Sequence, residues 1–167
     1  MKIGELYDKY VELGIPVTNR SEEDWMKAHE LFRENVKVNI LSASDKLAVV
    51  RAMNQGCIKR MGDSEKEYID LSIQKIVMTI GIIARMTDLE LDGVDENGSS
   101  GSVVNYDKIH LMGLMGYLNI YYGEEIAEFD DFINNENEAI RAFMKAGQPV
   151  LINEGKKDKK EEGNEPV

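Results

Sequence analysis

The chain has 167 residues, of which 43% are hydrophobic and 31% charged, proportions that are typical of a folded globular domain rather than a disordered chain. A net charge of -11 argues against nonspecific binding to nucleic acid, because the phosphates would be repelled. Cys57 is the single cysteine, which excludes an internal disulfide framework and is typical of a reducing compartment. The start of the chain has no apolar signal-peptide core. The longest apolar run, residues 76–84, is far shorter than the roughly 18 residues that span a bilayer. We expect an intracellular protein.

Two helices are predicted at the start of the chain. Residues 3–13 place their apolar side chains on one side, and Gly14 and Pro16 end this helix. Ser21 is the predicted cap of the second helix, with Asp24 at the capping-box position. The second helix carries an apolar stripe at helical spacing, formed by Trp25, Ala28, Leu31, Phe32 and Val36.

The longest helix is predicted in the middle of the chain. A third helix begins at Ser42 or Ser44 and runs to about residue 54, and the longest one follows from Asp63 or Ser64 to about Met86. Its apolar residues occupy most sides of the helix in the second half, which is typical of a buried central helix. One face holds Ile69, Ile73, Ile76, Val77, Ile80 and Ala84.

A loop and further helices are predicted after the central helix. Residues 87–103 are rich in Gly, Ser and Asp, and residues 97–102 read NGSSGS, like a flexible linker of natural or engineered origin. Asn105 is the predicted cap of the next helix. Residues 117–122 fit a helix or a strand, and residues 124–143 predict a helix.

These elements predict an all-α fold. We expect a compact bundle of about five or six helices around the long buried central helix, forming one domain over residues 1–152. Residues 153–167 are rich in Lys, Glu and Gly and have no apolar face, so they predict a disordered charged tail.

The negative charge is concentrated in one part of the chain. Residues 86–140 contain thirteen acids and one base, a net charge of -12 against -11 for the whole chain, so the remaining residues sum to +1. Within the predicted acidic helix, Glu124, Glu128 and Asp131 share one face. Such a face is either simply solvated or a contact surface for a basic partner. The predicted partner-binding residues are Glu124, Glu125, Glu128, Asp130 and Asp131.

Residues 88–93, DLELDG, imitate the start of a calcium-binding loop, with oxygen ligands at the first, third and fifth positions and Gly at the sixth. The pattern fails at the twelfth position, where Ser99 cannot supply a bidentate carboxylate. It also fails at the eighth, where Asp95 replaces an apolar residue. We therefore predict a solvated acidic turn and no metal site.

No catalytic set is apparent. His29 and His110 are far apart and lack zinc-ligand spacing, and Cys57 has no histidine placed near it by the sequence. A lone cysteine is usually a small buried apolar residue. Phosphate-binding and nucleophile-elbow motifs are missing from the sequence. We expect no enzymatic activity, no catalytic residues and no cofactor.

The organisation of residues 68–140 resembles small helical proteins encoded among the structural genes of tailed bacteriophages. The residues that carry the resemblance are the long apolar helix ending in TDLEL (87–91), then YDKI (106–109) and MGLM (112–115), followed by an acidic helix. The resemblance implies a role in virion structure or morphogenesis. It implies a location in the virion or the host cytoplasm, and a protein partner or self-association, as a homo-oligomer or within a larger assembly. We expect no direct contact with nucleic acid and none with a membrane. The alternative is a small acidic inhibitor that occupies the nucleic-acid-binding surface of a host protein.

Overall fold

Helices dominate the computed structural model, which describes residues 1–60, 67–93, 102–145 and 150–152. The helices of this part are α1 (Ile3–Glu12), α2 (Glu22–Asn35), α3 (Ala43–Gly56), α4 (Leu71–Met86), α5 (Ser102–Met112), α6 (Leu114–Tyr121) and α7 (Gly123–Lys145). The strands are β1 (Ile58–Arg60), β2 (Glu67–Ile69) and β3 (Val150–Ile152), in the order β1-β2-β3. β2 pairs antiparallel with β1 and parallel with β3. The predicted all-α fold is confirmed, with one small sheet added.

The early helices begin at the predicted caps. The Ser21 hydroxyl accepts a hydrogen bond from the Asp24 backbone N–H (3.2 Å), and the Asp24 carboxylate accepts one from the Ser21 N–H (2.9 Å). Ser42 accepts in the same way from the Asp45 N–H (3.2 Å) at the start of α3. These bonds satisfy backbone donors that have no partner within the helix, which is why both helices start at these residues.

The predicted start of the central helix is wrong. Residues 67–69 form β2, and α4 begins only at Leu71. The Asp70 carboxylate accepts a hydrogen bond from the Ser72 N–H (3.0 Å), so Asp70 is the cap, rather than Asp63 or Ser64. Strand β2 includes Tyr68 and Ile69, whose residue types favour extended structure when a neighbouring strand is present to pair with.

The predicted cap of α5 is also wrong. Asn105 lies inside α5, fully buried, and its side chain bonds the backbone of the acidic turn. The Asp92 N–H donates to Asn105 Oδ1 (3.0 Å), and Asn105 Nδ2 donates to the Asp92 carbonyl (2.8 Å). The ambiguous aromatic segment is helical, as α6. Gly113 joins α5 to α6 with φ +76°, and a Cβ there would lie 2.9 Å from the Trp25 ring.

Most of the second half of α4 lies in the core, as predicted, but Ala84 of the predicted apolar face is exposed. Its buried residues are Met78, Ile80, Ile82, Ile83 and Met86, and α3 and α5 pack against it. Gly81 leaves room for the Met53 side chain of α3, because a Cβ there would overlap the sulfur of Met53. Ile76 is only partly buried and packs against the edge of this core. Within the described ranges, no helix combines the length and hydropathy needed to cross a membrane.

Two predictions fall outside the described residues. They are the disordered tail over residues 153–167 and the linker, of which only Ser102 is described, as the first residue of α5.

Candidate functional site

The acidic helix α7 turns some of its carboxylates toward α3. Lys46 is only 1% exposed, and its ammonium group forms ion pairs with both Glu125 and Glu128. Burial lowers the pKa of Lys46, but hydrogen bonds to these two carboxylates outweigh it and raise the pKa above its ordinary value. Nearby, Arg51 and Glu136 form a second pair at 3.0 Å. The predicted partner-binding residues Glu125 and Glu128 therefore hold α7 onto α3.

Other carboxylates of α7 point to solvent. Glu124, Asp131 and Glu138, here called the outer stripe, are exposed and follow one another at intervals of seven residues. Two helical turns separate successive members, so the stripe occupies one face with a spacing of about 10 Å. Asp130 is also exposed, beside this stripe. Within the described part of the chain, no cation pairs with any of these four carboxylates.

Asp130 lies at the rim of an open groove between α4 and α7, which has a volume of about 650 Å³. We call it the α4–α7 groove. Burial against the groove raises the pKa of the Asp130 carboxyl, and the neighbouring charge of Asp131 raises it further. Lys75 lies on the α4 side of the groove. The floor is formed by the buried apolar side chains of Met78, Ile82, Ile109 and Ile126.

Polar side chains close one end of the groove. Gln74 of α4 and Asn137 of α7 exchange hydrogen bonds of 2.9 and 3.3 Å, and Gln74 also donates to Asn54 of α3 (2.9 Å). At another edge, Arg20 stacks on the Trp25 ring at 4.6 Å. These contacts hold the groove walls in place.

The histidines do not meet. His29 packs among aromatic rings of α2 and α6, with ring centroids 5.8 Å from Trp25 and 5.5 Å from Tyr117. Burial lowers the pKa of His29, which favours the neutral imidazole. His110 is exposed and stacks on Tyr106. Among the described residues, no His, Cys, Asp or Glu cluster has the geometry to hold a metal ion.

Cys57 is fully buried beside the end of α3, in agreement with the sequence-based interpretation. Burial raises the pKa of the thiol to about 11, and the charge of Asp70 adds to this effect. The thiolate that a nucleophile requires is therefore disfavoured at neutral pH.

The calcium-like turn is bound to the rest of the molecule by its own oxygens. Asp88 Oδ1 accepts from the Lys37 N–H (2.9 Å), and Asp92 forms an ion pair with Lys108 (2.9 Å). The Glu90 backbone pairs with the start of the chain. Leu89 is buried, so the turn is part of the core edge rather than a freely solvated loop.

The sequence contained one signal for the inward pairing that was missed. Lys46 shares a helix face with Val49, Val50 and Asn54, all of which are buried. A lysine on an apolar stripe indicates a buried cation that needs carboxylate partners. The sequence held no comparable signal for the α4–α7 groove, because the floor of the groove combines residues of three separate helices.

Comparison of the chain with protein-family models, with curated proteins and with solved structures finds no match.

Proposed function

We propose that the protein is a non-enzymatic assembly protein that acts through protein–protein contacts, in virion morphogenesis of the kind implied by the resemblance of residues 68–140 to phage structural-gene products. The outer stripe of α7 is the proposed contact surface, together with Asp130. Glu125 and Glu128 contribute indirectly, because their pairing with Lys46 holds the helix in place.

The observation that carries this proposal is the division of charge on α7. Inward carboxylates have cations, whereas the outer stripe has none in the described part of the chain. Carboxylates without a paired cation leave this face of the helix negative, and a basic partner would be complementary to it. An acidic face also steers a basic partner into encounter, which suits a protein that must find its place in an assembly.

Two kinds of partner fit this surface. One is a separate basic protein. The other is a second copy, whose less acidic half offers the exposed side chains of Lys59 and Arg85, with Arg60 as a further candidate from the sequence. Contact between two different patches of identical chains is head-to-tail, so it would generate rings or filaments.

The proposal is tested by reversing the outer stripe to lysine, as Glu124→Lys, Asp131→Lys and Glu138→Lys together. The control reverses three exposed carboxylates elsewhere, as Asp8→Lys, Glu12→Lys and Glu34→Lys, which changes the net charge equally. Cross-linking in extracts of the native source, with mass measurement of the products, should show a discrete complex for the wild type and the control. That complex should be missing for the outer-stripe variant. A complex that forms equally well with all three proteins would contradict the proposal.

A further inference from the structure

A second pocket opens between α2 and α6, and it is lined by other residues than the α4–α7 groove. We call it the α2–α6 pocket. Its volume of about 580 Å³ lies within the range of small-molecule sites. Met26 of α2 and Tyr121 of α6 line it and are 67% and 58% exposed. The pocket therefore offers apolar and aromatic surface that a bound molecule would cover.

Aromatic rings form the inner wall of the α2–α6 pocket. His29 meets Tyr117 and Tyr121 edge to face, with ring centroids 5.5 and 5.7 Å away. The centroids of Tyr117 and Tyr121 lie 4.9 Å apart. Since Tyr121 keeps more than half of its surface exposed, a further aromatic ring can pack against it from the pocket.

The same wall holds polar groups that the protein does not satisfy. Tyr117 is only 5% exposed, yet its hydroxyl forms no hydrogen bond within the described part of the chain. Burial raises the pKa of Tyr117, and the nearby phenols of Tyr122 and Tyr121 raise it further, so the hydroxyl is protonated at neutral pH. The Nε2 atom of His29 is buried and also lacks a partner there. Buried polar atoms are normally hydrogen-bonded, so a ligand with a polar edge would supply what the Tyr117 hydroxyl lacks.

The charges around the pocket balance one another. Two acids and two bases line it, and they pair along α2, Lys27 with Glu23 at 2.7 Å and Arg33 with Glu30 at 3.8 Å. The rim therefore has no net charge with which to attract an anion or a cation. An uncharged ligand fits this pocket best.

We infer that the α2–α6 pocket binds a small uncharged aromatic molecule with a hydrogen-bonding edge, which packs on Tyr121 and Met26 and forms a hydrogen bond with the Tyr117 hydroxyl. This site goes beyond the proposed function and does not depend on the outer stripe. A phenol hydroxyl both donates and accepts, so an amide-like edge that offers a donor and an acceptor suits it.

Three probes of nearly equal shape test the class of ligand. Benzamide is uncharged and has a donor and an acceptor on its edge, whereas benzoate is an anion and benzamidine a cation. In a titration of the full chain followed by NMR, benzamide should bind with a dissociation constant on the order of 1 mM. The two charged probes should bind roughly tenfold more weakly, because their charge must be desolvated without a partner. No saturable binding of benzamide up to about 10 mM, or equal binding of a charged probe, would overturn the inference.

Variants locate the bound probe. Tyr121→Ala should weaken benzamide binding by roughly fivefold, because it removes the ring on which the probe packs. Ile120→Ala is the matched control, since Ile120 is the adjacent residue of α6, is 66% exposed and does not line the pocket. Tyr117→Phe removes only the hydroxyl. It should leave the melting temperature unchanged and weaken benzamide binding by roughly fivefold. Binding equal to that of the wild type for either Tyr121→Ala or Tyr117→Phe would overturn the inference.

Two measurements separate this inference from the proposed function. The outer-stripe variant should bind benzamide like the wild type, because Glu124, Asp131 and Glu138 do not line the α2–α6 pocket. In extracts of the native source, Tyr121→Ala should still form the cross-linked complex. Loss of that complex with Tyr121→Ala would show that the pocket is part of a protein contact, and it would overturn the small-molecule site while leaving the outer stripe to its own test.

Discussion

Replacing Lys46 by methionine tests the attachment of α7 to α3. The ammonium group is buried, contacts two carboxylates and lies 5.9 Å from the centre of the Phe129 ring. Methionine keeps most of the apolar stem of lysine but removes the charge. Glu125 and Glu128 would then face each other across the vacated position with no cation between them.

The expected cost follows from burial. Removing one member of a buried ion pair costs about 3–5 kcal/mol when the remaining charge is fully buried. Glu125 and Glu128 keep 26% and 42% of their side-chain surface exposed, so water solvates part of the charge. We therefore expect Lys46→Met to lower the free energy of unfolding by about 2–3 kcal/mol. For a domain of this length, the melting temperature should fall by about 5–10 °C.

Calorimetry or circular dichroism at neutral pH measures this change. Lys27→Met is the control, because Lys27 and Glu23 form an exposed pair on α2, and its melting temperature should be nearly unchanged. Removing all three charges, as Lys46→Met with Glu125→Gln and Glu128→Gln, should recover most of the loss, since no uncompensated charge remains. A Lys46→Met protein that melts like the wild type would refute the role of Lys46 in holding α7.

Three further variants or measurements test the core and its titratable groups. The Cys57 thiol should react with a thiol reagent far more slowly in the native protein at pH 8 than in denaturant, because it is buried and its pKa is about 11; equal rates would contradict this. Ile80→Asp places a charge at a position that is 8% exposed and should abolish cooperative melting, whereas Ile120→Asp, at a position 66% exposed, should melt like the wild type. Because burial depresses the pKa of His29 below 6.5, the stability that the neutral ring contributes is present above that pH and is lost as the pH falls through the lowered pKa. Between pH 7 and pH 5, the melting temperature of His29→Phe should therefore fall less than that of the wild type. Equal falls in melting temperature would show that His29 does not titrate in this way.

Much of the helical fold was predictable because local signals agreed with tertiary packing. Ser21 and Ser42 combine capping chemistry with amphipathic stripes immediately after them, and the structure starts both helices there. Where several residues could cap, the sequence did not discriminate between them. Asp63, Ser64 and Asp70 all qualify, and the choice depends on β2 pairing with strands that lie elsewhere in the chain.

The acidic helix was predictable from the sequence, but which of its carboxylates pair with cations and which face solvent was not. Glu124 and Glu125 look equivalent in sequence, yet one is exposed and the other pairs with Lys46, 79 residues away along the chain. The role of Asn105 could not be predicted for the same reason, because its side chain forms hydrogen bonds with the backbone of Asp92 instead of capping its own helix. Such choices depend on which helices become neighbours, and local periodicity carries no information on that.

The outer stripe of α7 is proposed as the contact surface for a basic partner. It is tested by measuring, at 0.1 M and 1 M salt and without cross-linker, the dissociation constant of the complex with the partner, or of self-association by sedimentation. Over this range the Debye length falls from about 10 Å to about 3 Å. Affinity should fall with rising salt for the wild type and for the control variant with Asp8, Glu12 and Glu34 reversed to lysine. The outer-stripe variant should bind weakly at both salt concentrations. An affinity that is the same for all three proteins and insensitive to salt would contradict it.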